Sequence, residues 1–283
     1  MIKLALTDLD DTLICHGLPR ATDRAIAGIQ AMRDAGLHFG PVSGRIPNDM
    51  DWMFDEHKEC YATGAYCNGQ MVYLEGELVH AEAIDGGELN RLAELLAKDG
   101  RAVLTMYDVW TGDIHNCAYY ATPSAAHAEY MLERFGAAKR WVAHLDEPSY
   151  LKANIHVEGT REEQTEVRDM LREEFPSMDF VFPSNFAPLL DVSPHGWNKG
   201  SAVGVLADKL GITLDEIAVF GDSENDLSMM EAVPNAVAVA NASDQIKAVA
   251  RWHIGTSAND AVADALFDIA SAAATGEMPT FMR

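Results

Sequence analysis

The pattern of apolar and polar positions divides the chain into two kinds of region. Near both ends, short apolar runs alternate with amphipathic helices, starting with a strand at residues 2–6 and a helix at 22–35. Strand, helix and strand in this order predict a right-handed parallel crossover. The other elements predicted for the end regions are strands at 37–42, 61–66, 70–73, 78–81, 217–220 and 236–239, and helices at 47–57, 243–250 and 258–274.

In the middle of the chain the order of elements is irregular. The elements predicted there are helices at 88–98, 123–135 and 161–175, and strands at 102–107, 114–120, 153–157 and 179–182. This order indicates an α+β insertion, because it does not continue the alternation of strand and helix. We therefore predict an α/β fold, with a doubly wound, mostly parallel Rossmann-like core at 1–84 and 189–283 and an inserted α+β domain at 85–188.

Two predicted strands run directly into acidic residues. The first leads to Asp8 and Asp10, and the strand at 217–220 leads to Asp222 and Asp226. Alone, an Asp-x-Asp sequence after a strand is more often a loop or a helix N-cap. Carboxylates in contact repel by ~4 kcal/mol in a protein-like dielectric, so a cluster of them needs a cation, a shared proton or both. A hard divalent ion is the natural partner.

Groups that suit a phosphate oxygen occur at two further places. Ser43 and Gly44 close the strand at 37–42, and Lys199 lies where a predicted helix opens at 196–200. Hydroxyl groups and backbone amides at such positions bind phosphate oxygens. Arg45 either binds phosphate or pairs with a nearby acid.

These motifs, in this order, resemble the haloacid dehalogenase superfamily, and within it the Cof-like (IIB) phosphatases. The matching residues are 8–12 (Asp-Leu-Asp-Asp-Thr), Ser43, Lys199 and 221–226 (Gly-Asp-Ser-Glu-Asn-Asp), with Asn68-Gly69 and Asn241-Ala242 as secondary signatures. Asp11 stands where glycine is more usual in the family. The resemblance covers almost the whole length, and the middle third matches only in its pattern of elements.

The resemblance implies a Mg²⁺-dependent phosphatase that acts through an aspartyl-phosphate on a small phosphorylated metabolite, with sugar phosphates as the leading class. It implies that Asp8 is the nucleophile and Asp10 the general acid and base. The implied metal ligands are Asp8, the backbone carbonyl of Asp10 and Asp222. The residues implied to hold the phosphoryl oxygens are Ser43, Gly44, Lys199 and Asn225. The inserted domain corresponds to a C2-type cap, which selects the substrate.

Supporting roles stay open for two further residues. Asp226 either ligates the metal directly or fixes Lys199. Thr12 shapes its loop through a bond from its hydroxyl to the backbone, or contacts the reacting group. Two other functions are considered. A phosphomutase uses the same aspartyl-phosphate and returns the phosphoryl group to the sugar. A non-catalytic sensor of phosphorylated metabolites is expected to lack at least one of Asp8, Asp10, Lys199 and Asp222, and all four are present.

Charge and composition narrow the choice of partners. The formal net charge of −23 argues against nucleic acid and an anionic membrane surface, because both need a basic face. The sequence shows no signal peptide and no run of ~20 apolar residues, so we expect a cytoplasmic protein. Its four cysteines lack a metal-ligand spacing and are expected to be reduced. A monomer or a small homo-oligomer is expected.

Overall fold

The computed structural model describes residues 1–111, 113, 115–184 and 187–283. The chain divides into two compact units, which we call the first unit (Met1–Ala81 with Asn198–Arg283) and the second unit (Glu82–Trp197). The strands are β1 (Leu4–Thr7), β2 (His38–Pro41), β3 (Gly64–Tyr66), β4 (Met71–Leu74), β5 (Glu77–Ala81), β6 (Ile84–Asp85), β7 (Ala102–Tyr107), β8 (Ala118–Ala121), β9 (Trp141–Val142), β10 (Ser149–Tyr150), β11 (Ala153–Val157), β12 (Met178–Val181), β13 (Leu189–Pro194), β14 (Ile217–Gly221), β15 (Asn235–Ala238) and β16 (Trp252–His253). The helices are α1 (Asp23–Asp34), α2 (Met50–Met53), α3 (Gly86–Asp99), α4 (Ala125–Phe135), α5 (Arg161–Glu174), α6 (Lys199–Leu210), α7 (Leu227–Ala232), α8 (Asp244–Val249) and α9 (Ala261–Thr275).

A parallel sheet of five strands forms the centre of the first unit. Its order is β16-β15-β14-β1-β2, and Leu4 of β1 lies opposite both Ile217 of β14 and His38 of β2. All four residues of β1 are buried, as expected for a parallel strand covered on both faces. The register brings the carboxyl ends of β1, β2 and β14 to one edge of the sheet. The loops that follow these strands are therefore neighbours.

A second, antiparallel sheet in the first unit contains β3, β4 and β5. β4 and β5 are joined by Glu75 and Gly76, whose φ angles of 50° and 85° fit a tight hairpin turn. β3 and β4 pair antiparallel and are joined through a turn that contains Cys67, Asn68 and Gly69. A single bridge between Val42 and Ala65 links β3 to the end of β2. The turn at 67–69 is thereby placed near the loop that follows β2.

The second unit contains a six-stranded sheet of order β12-β13-β11-β7-β8-β9 and a two-stranded sheet of β10 and β6. Strand β13, Leu189–Pro194, pairs antiparallel with β11 and β12. The predicted core segment 189–283 thus begins at a strand that pairs within the second unit. An apolar strand does not carry information about which sheet it joins, because pairing is decided by distant partners. Of the predicted strand 114–120, Ile114 lies outside the described residues, and the observed strand is Ala118–Ala121.

One face of the six-stranded sheet packs on α3 and α5 through Ala153, Ile155 and Val157 of β11. Alternate residues of a strand point to opposite faces, so Asn154 and His156 lie on the other face. There Asn154 and Lys152, which is two residues earlier, both donate hydrogen bonds to Asp191, and all three side chains are buried. Lys152 and Asp191 thus form a buried ion pair within the second unit.

One predicted helix is shorter than its pattern indicates. In place of the helix predicted at 47–57, the structure has a 3-10 turn at Pro47–Asp49 followed by α2, which ends at Met53. The next residues, Asp55 and Glu56, have φ angles of 52° and 64°, which end a right-handed helix. The apolar spacing beyond Met53 therefore predicted helix where the backbone is not helical.

Two further observations concern cysteines and membranes. Each of the four cysteines carries a free thiol, and Cys60, Cys67 and Cys117 are buried. Burial, with the charge of Glu59 adding to it, raises the pKa of the Cys60 thiol to about 12. Throughout the part of the chain that the structure describes, no helix has the length and apolar character that crossing a membrane requires.

Candidate active site

A buried lysine lies between two buried carboxylates at the carboxyl edge of the parallel sheet. Lys199 is fully buried, and its Nζ lies 2.6 Å from Oδ1 of Asp8 and 2.6 Å from Oδ1 of Asp226. Asp8 directly follows β1, and Lys199 is the first residue of α6. Asn198 caps this helix by accepting a hydrogen bond from the backbone N–H of Ser201, which fixes where the helix starts.

Both oxygens of Asp226 are occupied by hydrogen bonds within the protein. Oδ1 accepts the hydrogen bond from Lys199, and Oδ2 accepts from the backbone N–H groups of Asp222 and Ser223 at 2.9 and 3.0 Å. The carboxylate therefore ties the loop after β14 to the lysine.

Asp222 follows β14 and faces the loop after β1. The hydroxyl of Thr12 donates a hydrogen bond of 2.7 Å to Oδ1 of Asp222, and Thr12 is fully buried. The Thr12 hydroxyl thus binds a carboxylate 210 residues away. The predicted bond from this hydroxyl to the backbone is not the one observed, because the two loops meet at the same sheet edge.

The negative charges of the carboxylates in this cluster outnumber the positive charge of Lys199. Burial raises the pKa of Asp8 well above its ordinary value, against the opposing charge of Lys199, and the neighbouring carboxylates add to the rise. Burial, with the charge of Asp226, raises the pKa of Asp222 to about 7. Burial lowers the pKa of Lys199, but the charges of Asp226 and Asp8 outweigh it and leave that pKa above its ordinary value. A single ammonium does not compensate three carboxylates.

The donor set fits a hard divalent cation. Asp8, Asp222 and Asp226 each offer a carboxylate oxygen, and these three atoms lie within 4.8 Å of one another. Oxygen ligands are the ones that Mg²⁺ prefers, and one or two carboxylates suffice for it. Burial raises the pKa of both Asp8 and Asp222, and a positive charge beside a carboxylate favours its ionised form.

Arg45 and Asp10 form a two-point ion pair beside this cluster. Nε and Nη2 of Arg45 donate to Oδ2 and Oδ1 of Asp10 at 2.8 and 2.7 Å. The guanidinium also lies over the ring of Trp52, 5.8 Å from its centroid, and 3.7 Å from a carboxylate oxygen of Asp49. Of the two roles open for Arg45, the structure shows the pairing with an acid. Each oxygen of the Asp10 carboxylate thus accepts one hydrogen bond from the guanidinium, which fixes the plane of the carboxylate.

The predicted phosphate-binding residues lie on three neighbouring segments. Ser43 is buried after β2, and its hydroxyl oxygen accepts a hydrogen bond of 3.2 Å from the backbone N–H of Arg45 across Gly44. Asn225 lies in the loop after β14, where its Oδ1 accepts from the Ser223 hydroxyl at 3.0 Å. With Lys199, these segments bring hydroxyl, amide and ammonium donors to one sheet edge.

With this geometry in place, comparison with known proteins assigns the family. A family model described as haloacid dehalogenase-like hydrolase matches residues 5–266. The chain belongs to the haloacid dehalogenase-like hydrolases. The HMP-PP phosphatase of Citrobacter koseri is a relative that is 28% identical over 253 residues, which cover 87% of this hydrolase and 87% of the relative.

Solved structures agree with this membership in their fold. BT1666 from Bacteroides thetaiotaomicron, a phosphatase of the superfamily, superposes with a TM-score of 0.74 at 20% identity and covers 94% of each chain. The subclass IIB sugar phosphatase BT4131 superposes with a TM-score of 0.71 at 22% identity, over 93% of this hydrolase and 97% of that chain. The predicted family, the α/β fold and the class of phosphoric monoester hydrolase are confirmed.

Two residues that the sequence marked only as secondary signatures also contact the site loops. The side-chain N–H of Asn241 donates to the backbone carbonyl of Asp11 at 2.7 Å, and its Oδ1 accepts from the backbone N–H of Ser257 at 2.9 Å. Asn68 accepts a hydrogen bond from Asn225. The sequence signal for both was a single Asn before a small residue, which does not reveal its partner.

Proposed function

We propose that this hydrolase is a Mg²⁺-dependent phosphatase that cleaves a small phosphorylated metabolite, with sugar phosphates as the leading class, through an aspartyl-phosphate. The observation that carries the proposal is the position of Asp8: a buried carboxylate at the end of a central strand, held by Lys199 at 2.6 Å. A carboxylate held still beside a cation is suited to attack phosphorus in line.

In the first step, an oxygen of Asp8 bonds to phosphorus and the bond from phosphorus to the ester oxygen breaks. Asp10 gives a proton to the leaving oxygen, which departs as an alcohol. Lys199 and Ser43 donate hydrogen bonds to the phosphoryl oxygens, whose negative charge must be neutralised during transfer.

In the second step, Asp10 takes a proton from a water molecule, whose oxygen attacks phosphorus. The bond between phosphorus and Asp8 breaks, which releases inorganic phosphate and restores the carboxylate. One residue thus acts as acid and then as base. Two hydrogen bonds from Arg45 fix the orientation of the Asp10 carboxylate, so we assign Arg45 to positioning Asp10.

Mg²⁺ would be held by Asp8, the backbone carbonyl of Asp10 and Asp222. When bound, the ion would supply positive charge that offsets the negative charges of the nucleophile and the phosphoryl group. We assign Asp226 to fixing Lys199, because both of its oxygens already accept hydrogen bonds from the protein. Thr12 orients Asp222 through its hydroxyl.

The class of substrate is supported by resemblance. BT4131 is described as a sugar phosphatase, and the relative from Citrobacter koseri is named an HMP-PP phosphatase. We propose that the second unit has the role of a substrate-selecting cap, since it is inserted between the segments that carry Ser43 and Lys199.

The test is release of inorganic phosphate from a panel of phosphorylated metabolites, with Mg²⁺ and with a chelator. We expect release that requires Mg²⁺ and falls by roughly 10⁴-fold or more in Asp8→Asn, since loss of a nucleophile removes the covalent route. Asp215→Asn makes the same change of charge at an exposed position of the first unit and is expected to retain activity.

Two other outcomes would point to the alternative functions. Transfer between positions of a sugar that depends on a bisphosphate activator, without net release of phosphate, would indicate a phosphomutase. Binding of metal and phosphorylated metabolites with no turnover of any ester would indicate a sensor. Full activity of Asp8→Asn would exclude the aspartyl-phosphate.

A further inference from the structure

We propose that Asn68 is a positioning residue that orients Asn225, and that Cys67, Asn68 and Gly69, which we call the 67–69 turn, set the spacing of the segments that hold the phosphoryl group. This inference rests on the proposed phosphatase function, because it concerns the same site. The sequence marked Asn68-Gly69 only as a secondary signature of the family, and the proposed mechanism does not use these residues.

The backbone of the 67–69 turn is unusual. Its three residues have φ angles of 54°, 56° and 95°, and only the third is glycine. L residues rarely adopt this left-handed region, although asparagine tolerates it better than most. Strained backbone of this kind persists only where its surroundings impose it, and it is concentrated at functional sites. The strain is therefore a reason to look at what the turn contacts.

The turn contacts two segments of the site through its backbone. The N–H of Cys67 donates to the carbonyl of Arg45, and the N–H of Asn68 donates to the carbonyl of Ser43, both at 2.9 Å. These bonds hold the two ends of the Ser43–Arg45 loop, with Gly44 between them. The position of the Ser43 hydroxyl thus depends on the turn.

On its other side, the turn packs against the start of α6. A Cβ added to Gly69 would lie 2.6 Å from the carbonyl oxygen of Asn198, which is closer than real Cβ atoms approach. Asn198 is the residue directly before Lys199. Glycine is therefore needed for the close approach as well as for its φ angle, and the turn acts as a spacer between the Ser43 loop and Lys199.

The Asn68 side chain reaches a third segment. It is 8% exposed, and its Oδ1 accepts a hydrogen bond of 3.3 Å from Nδ2 of Asn225, 157 residues away. The other end of the Asn225 amide accepts from the Ser223 hydroxyl at 3.0 Å. A primary amide has two N–H donors in a fixed plane. With both ends held, the direction of the second N–H is set too, and we assign it to a phosphoryl oxygen.

The variant Asn68→Gly separates the side chain from the backbone, because glycine adopts the same left-handed conformation without strain. We expect the intact protein to fold with an unchanged or higher melting temperature. Its affinity for inorganic phosphate in the presence of Mg²⁺, measured by calorimetry, should fall about fivefold, the usual effect of one hydrogen bond. Glu56→Gly is the matched control, since Glu56 is exposed with a φ of 64°.

The decisive comparison is a double-mutant cycle with Asn225→Ala. If Asn68 acts through Asn225, the double variant Asn68→Gly with Asn225→Ala binds phosphate no more weakly than Asn225→Ala alone. If the fold-losses of phosphate affinity in the two single variants multiply in the double variant, the inference is overturned, because the two side chains then act independently. A residue with a merely structural role would lower the melting temperature without this coupling.

The remaining outcomes separate the two proposals. If the wild type binds phosphate and shows the coupling but hydrolyses no ester, the phosphatase function fails while the role of Asn68 stands. If the wild type does not bind phosphate at millimolar concentration with Mg²⁺, or if Asn68→Gly binds it as tightly as the wild type, the role of Asn68 is wrong.

Discussion

Asp11 shows how a loop keeps its backbone when the usual glycine is replaced. Its φ is 64°, in the left-handed region, which glycine adopts freely and aspartate tolerates. Its Oδ1 accepts a hydrogen bond of 2.8 Å from the backbone N–H of His16, so the side chain stabilises the loop. After the larger effects of burial and Asp226, its charge adds to the raised pKa of Asp222. Aspartate in place of glycine at this position thus changes both the hydrogen bonding of the loop and the electrostatic field at Asp222.

The two-point pair between Arg45 and Asp10 leads to a prediction for Arg45→Met. Because a hydrogen bond to a charged group contributes about 1.5 to 3 kcal/mol, we expect kcat/KM to fall roughly 10- to 100-fold. Arg45→Lys keeps the positive charge but cannot donate two parallel hydrogen bonds from a planar group. It should therefore show a smaller loss of kcat/KM than Arg45→Met, but not the wild-type value. Steady-state kinetics on the best substrate of the panel measure both.

Arg24 provides the control for this comparison. It also pairs with an aspartate in the first unit, Asp264, and lies over the ring of Phe267, but both of the paired residues are exposed. Arg24→Met is expected to leave kcat/KM unchanged. Equal losses in the two methionine variants would contradict a specific role for Arg45.

His156 gives the second unit a stability that depends on pH. Its Nδ1 lies 2.7 Å from the Thr105 hydroxyl, and its ring lies near those of Tyr120 and Phe135. Burial lowers its pKa from 6.5 to about 4. Between pH 6.5 and pH 4, the unfolded chain therefore takes up a proton at His156 and the folded chain does not. The contribution of His156 to the free energy of unfolding is present in full above pH 6.5 and is lost as the pH falls toward 4.

The size of this effect is about 3 kcal/mol, at 1.36 kcal/mol for each unit of pKa. Urea unfolding at pH 7 and at pH 4.5 measures it. The variant His156→Gln keeps a polar partner for Thr105 but does not titrate, so its stability should change less between the two values. The same pH dependence in both proteins would show that other groups are responsible.

At the scale of elements, the site depends on how closely α6 approaches α7. A Cβ added to Gly200 would lie 2.4 Å from the carbonyl oxygen of Ser228, and the Gly200 N–H donates to the Ser228 hydroxyl at 3.1 Å. Lys199 is the neighbouring residue on α6. Any shift of the helix start therefore moves the buried ammonium away from its two carboxylates.

Two glycine variants on α6 test this dependence. Gly200→Ala should lower the free energy of unfolding by about 1–3 kcal/mol, as overpacking does, and should reduce kcat/KM at least tenfold. Gly204→Ala is the control, because no atom lies within 4 Å of its added Cβ apart from its chain neighbours and the backbone of its own helix. It should raise stability by up to ~1 kcal/mol through helix propensity and leave activity intact. Similar effects of both variants would show that the contact with Ser228 is unimportant.

The sequence predicted best what is encoded locally. Asp8, Asp222 and Lys199 each follow a clear element boundary, and the structure brings them together because parallel strands end at one edge. The sheet that β13 joins was not predictable, since its partners lie elsewhere in the chain. The contact of Asn68 with Asn225 was hidden for the same reason and also because it needs three successive positive φ angles.

At the scale of the whole molecule, the net charge is −23, and an anion at the site meets the cations Lys199 and Arg45 together with the carboxylates that they pair with. Charges further away than about 8 Å are largely screened at physiological salt. An anionic substrate therefore responds to the nearby cations once it is in contact. The acidic surface serves solubility and disfavours binding to nucleic acid.

The order of the central sheet has a consequence for synthesis on the ribosome. Leu4 of β1 pairs with Ile217 of β14, 213 residues later. At about 5–20 residues per second, one edge of β1 waits roughly 10 to 40 seconds for that partner. During this time the nascent chain carries an apolar strand with unpaired N–H and C=O groups, which is a template for wrong pairing. The interval between these two strands is thus the period in which a chaperone would matter most to this protein.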